Sequence, residues 1–238
     1  MKQIVDVGMC EGNDTDFYLK KGFKVLSIEA LPSNADQARK RFKKELKSGQ
    51  LEIMQAAATE TAGEDVTLWV NPHNPGGNMV LPQEVAEKRG ESITVKSTNW
   101  QDIVSKVGEV YYCKIDIERQ EIPFLRSFTV ETRPKYISAE CYFFEIVEYL
   151  HHQLGYTKFK FVNQTILFNF KAPNPALEGN YVENHVFQHA SGFFGKEVPG
   201  PKWCDFDEIR EVWETINHIK TYETVMWPGN FFDIHATT

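Results

Sequence analysis

Short apolar runs alternate with amphipathic stretches through the first 170 residues of this 238-residue chain. Residues 3–7 (QIVDV), 24–29 (KVLSIE), 51–57, 110–117 (VYYCKIDI) and 135–140 read as strands. Residues 14–21, 33–47, 121–128 and 142–154 read as helices, because their apolar positions recur at helical spacing. Gly22, Gly49 and Gly155 sit where helices usually stop. Strands joined by helices predict a parallel sheet covered on both faces. Residues 157–162 and 165–170 are separated only by Asn163–Gln164, which is hairpin spacing, so the last strand is expected to run antiparallel. The expected fold is α/β, a Rossmann-like doubly wound sheet.

The rhythm weakens between residues 64 and 96, where 65–70 and 92–96 read as strands around the loop NPHNPGGN. It breaks at residue 171. Residues 1–170 are therefore read as the core, and residues 171–238 as an extension folded over the same domain. The extension holds a helix near 205–220 and a tail, WPGNFFDIHA. It also concentrates aromatic residues: Phe193, Phe194, Trp203, Phe206, Trp213, Tyr222, Trp227, Phe231 and Phe232. Such a surplus could wall an acceptor pocket or form a homodimer contact.

Charge narrows the partners. With 26 Lys+Arg against 33 Asp+Glu, the net charge is −7, which argues against nucleic acid because phosphate backbones need clustered cations. The basic stretch ARKRFKKELK reads as the solvated face of a helix. No apolar run is long enough to span a membrane, and MKQIVDVG has no signal-peptide form, so a cytoplasmic location is expected. Cys10, Cys113, Cys141 and Cys204 lie far apart without metal-finger spacing, as expected of reduced thiols.

In open α/β sheets ligands bind beyond the carboxyl ends of the strands. The residues there are Asp6–Gly8, Glu29, Ala56–Ala58, Asp116–Glu118 and Glu140. Gly8 and Gly12 make a G-x-x-x-G turn that lacks the third glycine of a dinucleotide fingerprint. An amino-acid moiety fits this turn better than a pyrophosphate, its ammonium facing Asp6. Glu29 suits the two hydroxyls of a ribose. In YYCKIDIERQE, period two puts Tyr112, Lys114, Asp116 and Glu118 on one face. Buried charges there need partners. Two readings stand: an ion-pair network centred on Lys114, or a divalent metal such as Mg held by Asp116 and Glu140.

These segments resemble the FkbM family of S-adenosylmethionine-dependent methyltransferases. IVDVGMCEGNDTDFYLKKGFKVLSIEALP looks like the family's cofactor-binding opening, and KIDIERQEIPFLRS is similar to its K-I-D-x-E-G-x-E segment. PKYISAE, LGYTKFKFVNQ, SGFFGKEVPG and FFDIHA continue the pattern in order. The resemblance implies a class I methyltransferase sheet of order 3-2-1-4-5-7-6 and O-methylation of a small-molecule or glycan hydroxyl. Asp6, Gly8 and Gly12 would hold the methionine end of S-adenosyl-L-methionine, Glu29 the ribose, and Ala57 would join them on the cofactor side. Asp116, Glu118 and Glu140 would face the transferred methyl. Two positions depart from the pattern: Cys10 replaces a polar residue, and Arg119 replaces the glycine of the D-x-E-G turn.

Alcohols are poor nucleophiles, so a base is expected among Asp116, Glu140 and His235, the last beside Asp233. Two alternatives stand beside this activity. One is an NAD-binding oxidoreductase on the same sheet. The other is a catalytically silent protein that binds the cofactor and a partner.

Overall fold

In this computed structural model, a seven-stranded sheet forms the centre of the protein; the structure describes residues 1–74, 76–187, 190–200, 202–222 and 232–238. In chain order the first half comprises β1 (Gln3–Val7), α1 (Asn13–Lys20), β2 (Lys24–Glu29), α2 (Pro32–Arg41), α3 (Lys43–Ser48) and β3 (Leu51–Gln55). The chain then makes a small second layer from β4 (Ala57–Ala58), β5 (Asp65–Trp69), β6 (Met79–Val80), α4 (Gln83–Arg89) and β7 (Ser92–Thr98). It returns through α5 (Trp100–Val107), β8 (Tyr112–Ile115), α6 (Glu121–Leu125), β9 (Tyr136–Glu140), α7 (Glu145–His152) and β10 (Lys158–Asn163). The last elements are α8 (Phe206–Tyr222) and β11 (Phe232–Thr237).

The large sheet runs β3-β2-β1-β8-β9-β11-β10, and the small one β4-β7-β5-β6. Strands β3, β2, β1, β8 and β9 are mutually parallel, whereas β11 is antiparallel to both β9 and β10. Every residue of β1 is buried, as befits a central parallel strand covered on both faces. Period two divides it. Val5 and Val7 enter one core layer with Trp100, Ile103, Phe124 and Leu150, while Ile4 enters the other with Phe17, Tyr18, Phe23 and Phe194.

Three expectations are corrected. Residues 164–169 form a 3-10 helix instead of the second strand of a hairpin. Asn163 ends β10 by accepting a hydrogen bond from the Thr165 N–H at 2.9 Å, which turns the chain out of the sheet. The antiparallel strand is instead β11, inserted between β9 and β10 from the far end of the chain. The core consequently does not close at residue 170; a strand of the extension completes its sheet. The expected helix over 33–47 is two helices, broken at the buried Phe42.

The extension is bound to the sheet by buried polar contacts. Lys21 and Glu197, both fully buried, pair at 2.8 Å, and the Tyr111 hydroxyl donates to the Glu178 carboxylate at 2.8 Å. Its aromatic residues are largely spent on packing. Phe194 stacks on Tyr112 and meets Tyr18 edge-on, Phe193 meets Phe17, and Phe206 and Trp213 pack on Phe144. Trp227 and Phe231 lie outside the described residues. Among the described residues no helix is long and apolar enough to cross a membrane.

Candidate active site

The carboxyl ends of β1, β2, β4, β8 and β9 surround a cavity of about 360 Å³. The loop between β5 and β6 covers it, contributing Asn74, Gly76 and Asn78. Gln120 ties the mouth to this cover by donating to the Val80 carbonyl at 3.2 Å.

On one side the cavity is built from the β1–α1 turn. Gly8 (φ +81°) and Met9 both donate their N–H to the Ile28 carbonyl, at 3.0 and 3.1 Å. A β-carbon at Gly8 would lie 1.8 Å from the Asp116 carbonyl oxygen, so the two strand ends can approach this closely only with glycine. Glu29 accepts hydrogen bonds from the N–H groups of Cys10 and Leu31, each at 2.8 Å. Burial raises its pKa, and these two bonds pull it back toward the charged form. Ala56, Ala57 and Ala58, with Leu68, make a wall of small apolar side chains next to it.

The floor is Lys114. Its ammonium donates to the Gly8 carbonyl at 2.7 Å and lies 3.4 Å from Asp6, 3.7 Å from Asp116 and 3.9 Å from Asp14. Burial opposes the charge, but the surrounding carboxylates win and hold its pKa well above the lysine range. Asp14 reaches the other way as well. It accepts the backbone N–H groups of Ser191 and Gly192 at 2.9 and 3.0 Å, and burial lifts its pKa to about 6.

Opposite Glu29, the cavity is acidic. Glu118 and Glu140 line it, and Asp233 stands across the β9–β11 register from Glu140. Burial first, and then the neighbouring Asp116, push the Glu140 carboxyl up to about 10, and Asp233 is raised to about 7 by the same causes. Gln164 donates to one Asp233 oxygen at 2.7 Å. The other Asp233 oxygen and Glu140 Oε2 are buried without a hydrogen-bond partner. The turn beside them is unusual: Glu118 and Arg119 both have positive φ, 54° and 72°. Arg119 therefore occupies a glycine-like conformation, its guanidinium 5.6 Å from the Tyr142 ring centre.

Of the residues singled out from sequence, Gly8, Glu29, Ala57, Asp116 and Glu140 line the cavity together. Asp6, Gly12 and His235 do not. Asp6 is sealed beneath the floor, bonded to the Thr15 hydroxyl at 2.5 Å and paired with Lys114, so it cannot meet a ligand ammonium. Gly12 serves the fold, since it caps α1 in the left-handed region and a β-carbon there would strike Phe42. His235 lies within β11 opposite Ser138 and Lys160, 1% exposed. Burial drives its pKa down to about 3 and keeps it from the cavity, so it is no base for a bound acceptor. Antiparallel insertion of β11 leaves its first acidic residue, Asp233, at the site and carries His235 inward. The described aromatic residues of the extension are likewise absent from the cavity wall.

The Lys114-centred network is present, and it includes Asp14, which sequence reasoning passed over. Its signal was an acidic residue in the first turn after the glycine loop. Among the described residues no group of three or more His, Cys, Asp or Glu is arranged to hold a metal ion.

A family model described as the methyltransferase FkbM domain matches residues 6–167. No curated protein matches the chain. Among solved structures, methyltransferase FkbM from Methylobacillus flagellatus KT is similar at 16% identity over 65% of this chain, with a TM-score of 0.47. The chain spans 38% of that protein's length. A SAM-dependent methyltransferase from Archaeoglobus fulgidus aligns over 100% of this chain and 86% of its own, at 10% identity and a TM-score of 0.43. The N-terminal domain of EvdMO1 with SAH bound aligns over 100% of this chain and 74% of its own, at 10% identity and a TM-score of 0.35.

Proposed function

The chain belongs to the FkbM family of S-adenosylmethionine-dependent methyltransferases, and from that premise we propose that it transfers a methyl group to a hydroxyl of a small molecule, a sugar of a glycan or of a glycosylated metabolite. The observation that carries this reading is the two-sided cavity. The Glu29 carboxylate and an alanine wall stand toward the β2 end, and the carboxyl groups of Asp116 and Glu140 toward the β8 and β9 ends.

The donor set fits S-adenosylmethionine. Glu29 keeps free lone pairs for two ribose hydroxyls while its Cys10 and Leu31 bonds fix its orientation. Ala56–Ala58 and Leu68 offer a flat apolar face to a purine. Bound there, the cofactor supplies an electrophilic methyl on a sulfonium. Asp116 and Glu140 would align the acceptor hydroxyl in line with that methyl and take the hydroxyl proton on its transfer. A carboxyl raised as far as Glu140 is a stronger base, once ionised, than a solvated one.

Titration calorimetry with S-adenosylmethionine and NAD, followed by assay of S-adenosylhomocysteine release on a panel of hydroxylated glycans and metabolites, tests this reading. Preferential binding of the sulfonium cofactor, weakened tenfold or more by Glu29→Ala, and release with at least one acceptor are expected. Preferential NAD binding would replace the reading with an oxidoreductase. Cofactor binding with no release on any acceptor would replace it with a silent binding protein.

A further inference from the structure

The acidic side of the cavity holds more carboxyl groups than proton abstraction needs. Lys114 is shared among Asp6, Asp14 and Asp116. Among the described residues no lysine or arginine makes a contact ion pair with Glu118, Glu140 or Asp233; Arg119, its guanidinium over Tyr142, and Lys114 act on Glu118 and Asp233 only at longer range. Glu140, 5% exposed, lines the cavity beside the Tyr142 hydroxyl with Oε2 lacking a hydrogen-bond partner of good geometry, and behind it one Asp233 oxygen, near the Ser191 hydroxyl, is in the same state. Buried acceptors of this kind are costly unless a donor arrives. The sulfonium and ammonium of the cofactor are partly offset by its own carboxylate, so cofactor binding leaves carboxyl groups of this wall for a second cation to engage.

We propose that this surplus recognises the acceptor, and that the acceptor carries a protonated amine beside the hydroxyl to be methylated, as an amino sugar does. The proposal rests on the methyl-transfer reading above. Glu118 and Glu140 would receive the ammonium and the neighbouring hydroxyls, with Asp233 strengthening the field from behind. In the ligand-free protein a proton takes the place of that cation on Glu140, whose carboxyl is raised to about 10. An organic cation suits the geometry better than a metal. No group of three or more His, Cys, Asp or Glu that could hold a metal ion is formed among the described residues. A ring bearing several N–H and O–H donors can span such a wall.

Three matched oligosaccharides separate charge from shape: the β-1,4 oligomers of glucosamine, of N-acetylglucosamine and of glucose. Their binding to the full chain saturated with S-adenosylhomocysteine would be measured by calorimetry at pH 7. The glucosamine series is expected to bind at least tenfold more tightly than the other two, and Glu118→Gln should remove most of that preference. Equal affinity across the series would overturn the proposal, as would binding of none of them. So would Mg²⁺ that binds alone and displaces the glucosamine oligomer. In each of those cases retained binding of S-adenosylhomocysteine leaves the methyltransferase reading standing; loss of that binding would instead remove the reading itself.

Discussion

Glu140 closes β9 directly opposite Asp233 of β11, and each holds a buried carboxylate oxygen without a hydrogen-bond partner. After burial and Asp116, the charge of Asp233 helps to raise the pKa of Glu140, because each carboxylate disfavours a second negative charge beside it. The pair belongs to the site only because the last strand of the chain enters the sheet antiparallel between β9 and β10.

A pH dependence of stability follows. Asp233 has its folded pKa raised from 3.8 to about 7, so its contribution is fully present below the unfolded value and is lost as pH rises through about 7. The ligand-free protein should lose several degrees of Tm between pH 5 and pH 8. Asp233→Asn should lessen that loss, leaving the part due to Glu140, and raise Tm at pH 8, as followed by calorimetric melting across pH. An unchanged slope in the variant would show that the charge is compensated elsewhere.

Gly8→Ala should be severe. The new methyl would meet the Asp116 carbonyl at 1.8 Å in a left-handed conformation, so β1 and β8 must separate at their ends. A loss of about 3 kcal/mol or more in urea unfolding is expected, together with loss of S-adenosylhomocysteine binding. Wild-type stability and binding would contradict the close approach.

Arg119→Gly should stabilise the protein. The left-handed conformation at φ 72° costs a non-glycine residue roughly 1–2 kcal/mol. The guanidinium over Tyr142 returns about 0.5–1 kcal/mol at an exposed site. Strain wins, and a rise of roughly 2–4 °C in Tm is the expected reading. A fall would mean that Arg119 contributes more than this one contact.

Asp14→Ala should loosen the extension without unfolding the sheet. It strips the acceptor from the buried Ser191 and Gly192 N–H groups, at a cost of about 1–3 kcal/mol. Hydrogen exchange should quicken at those two amides first, while β1 and β8 remain protected. Exchange that rises uniformly across the sheet would show that Asp14 supports the whole core through Lys114.

Much of this was legible in the chain. QIVDV, KVLSIE and YYCKID are apolar enough to be buried strands and are joined by helical periods, so a parallel sheet follows from local pattern alone. Strand-end residues then fall at one edge, which is why Gly8, Glu29, Ala57, Asp116 and Glu140 were found together. Asp6 and His235 carried the same chemical signals but lie sealed within the sheet, and Gly12 turns the chain into α1, because residue type and spacing do not say what the rest of the chain packs over a position.

The alternation of apolar and polar residues determined by itself the α/β class, the order of local elements and the acidic character of the strand ends, because those properties depend on neighbours a few positions apart. Tertiary structure alone decided that residues 232–237, and not 165–170, would fill the slot between β9 and β10. It also made Asp14 a bridge between Lys114 and the extension, and gave Glu140 a second carboxylate for company. Those outcomes depend on pairings between residues distant in the chain. Backbone hydrogen bonds are indifferent to sequence, so such pairings are selected by the burial of whole strands and not by any local motif.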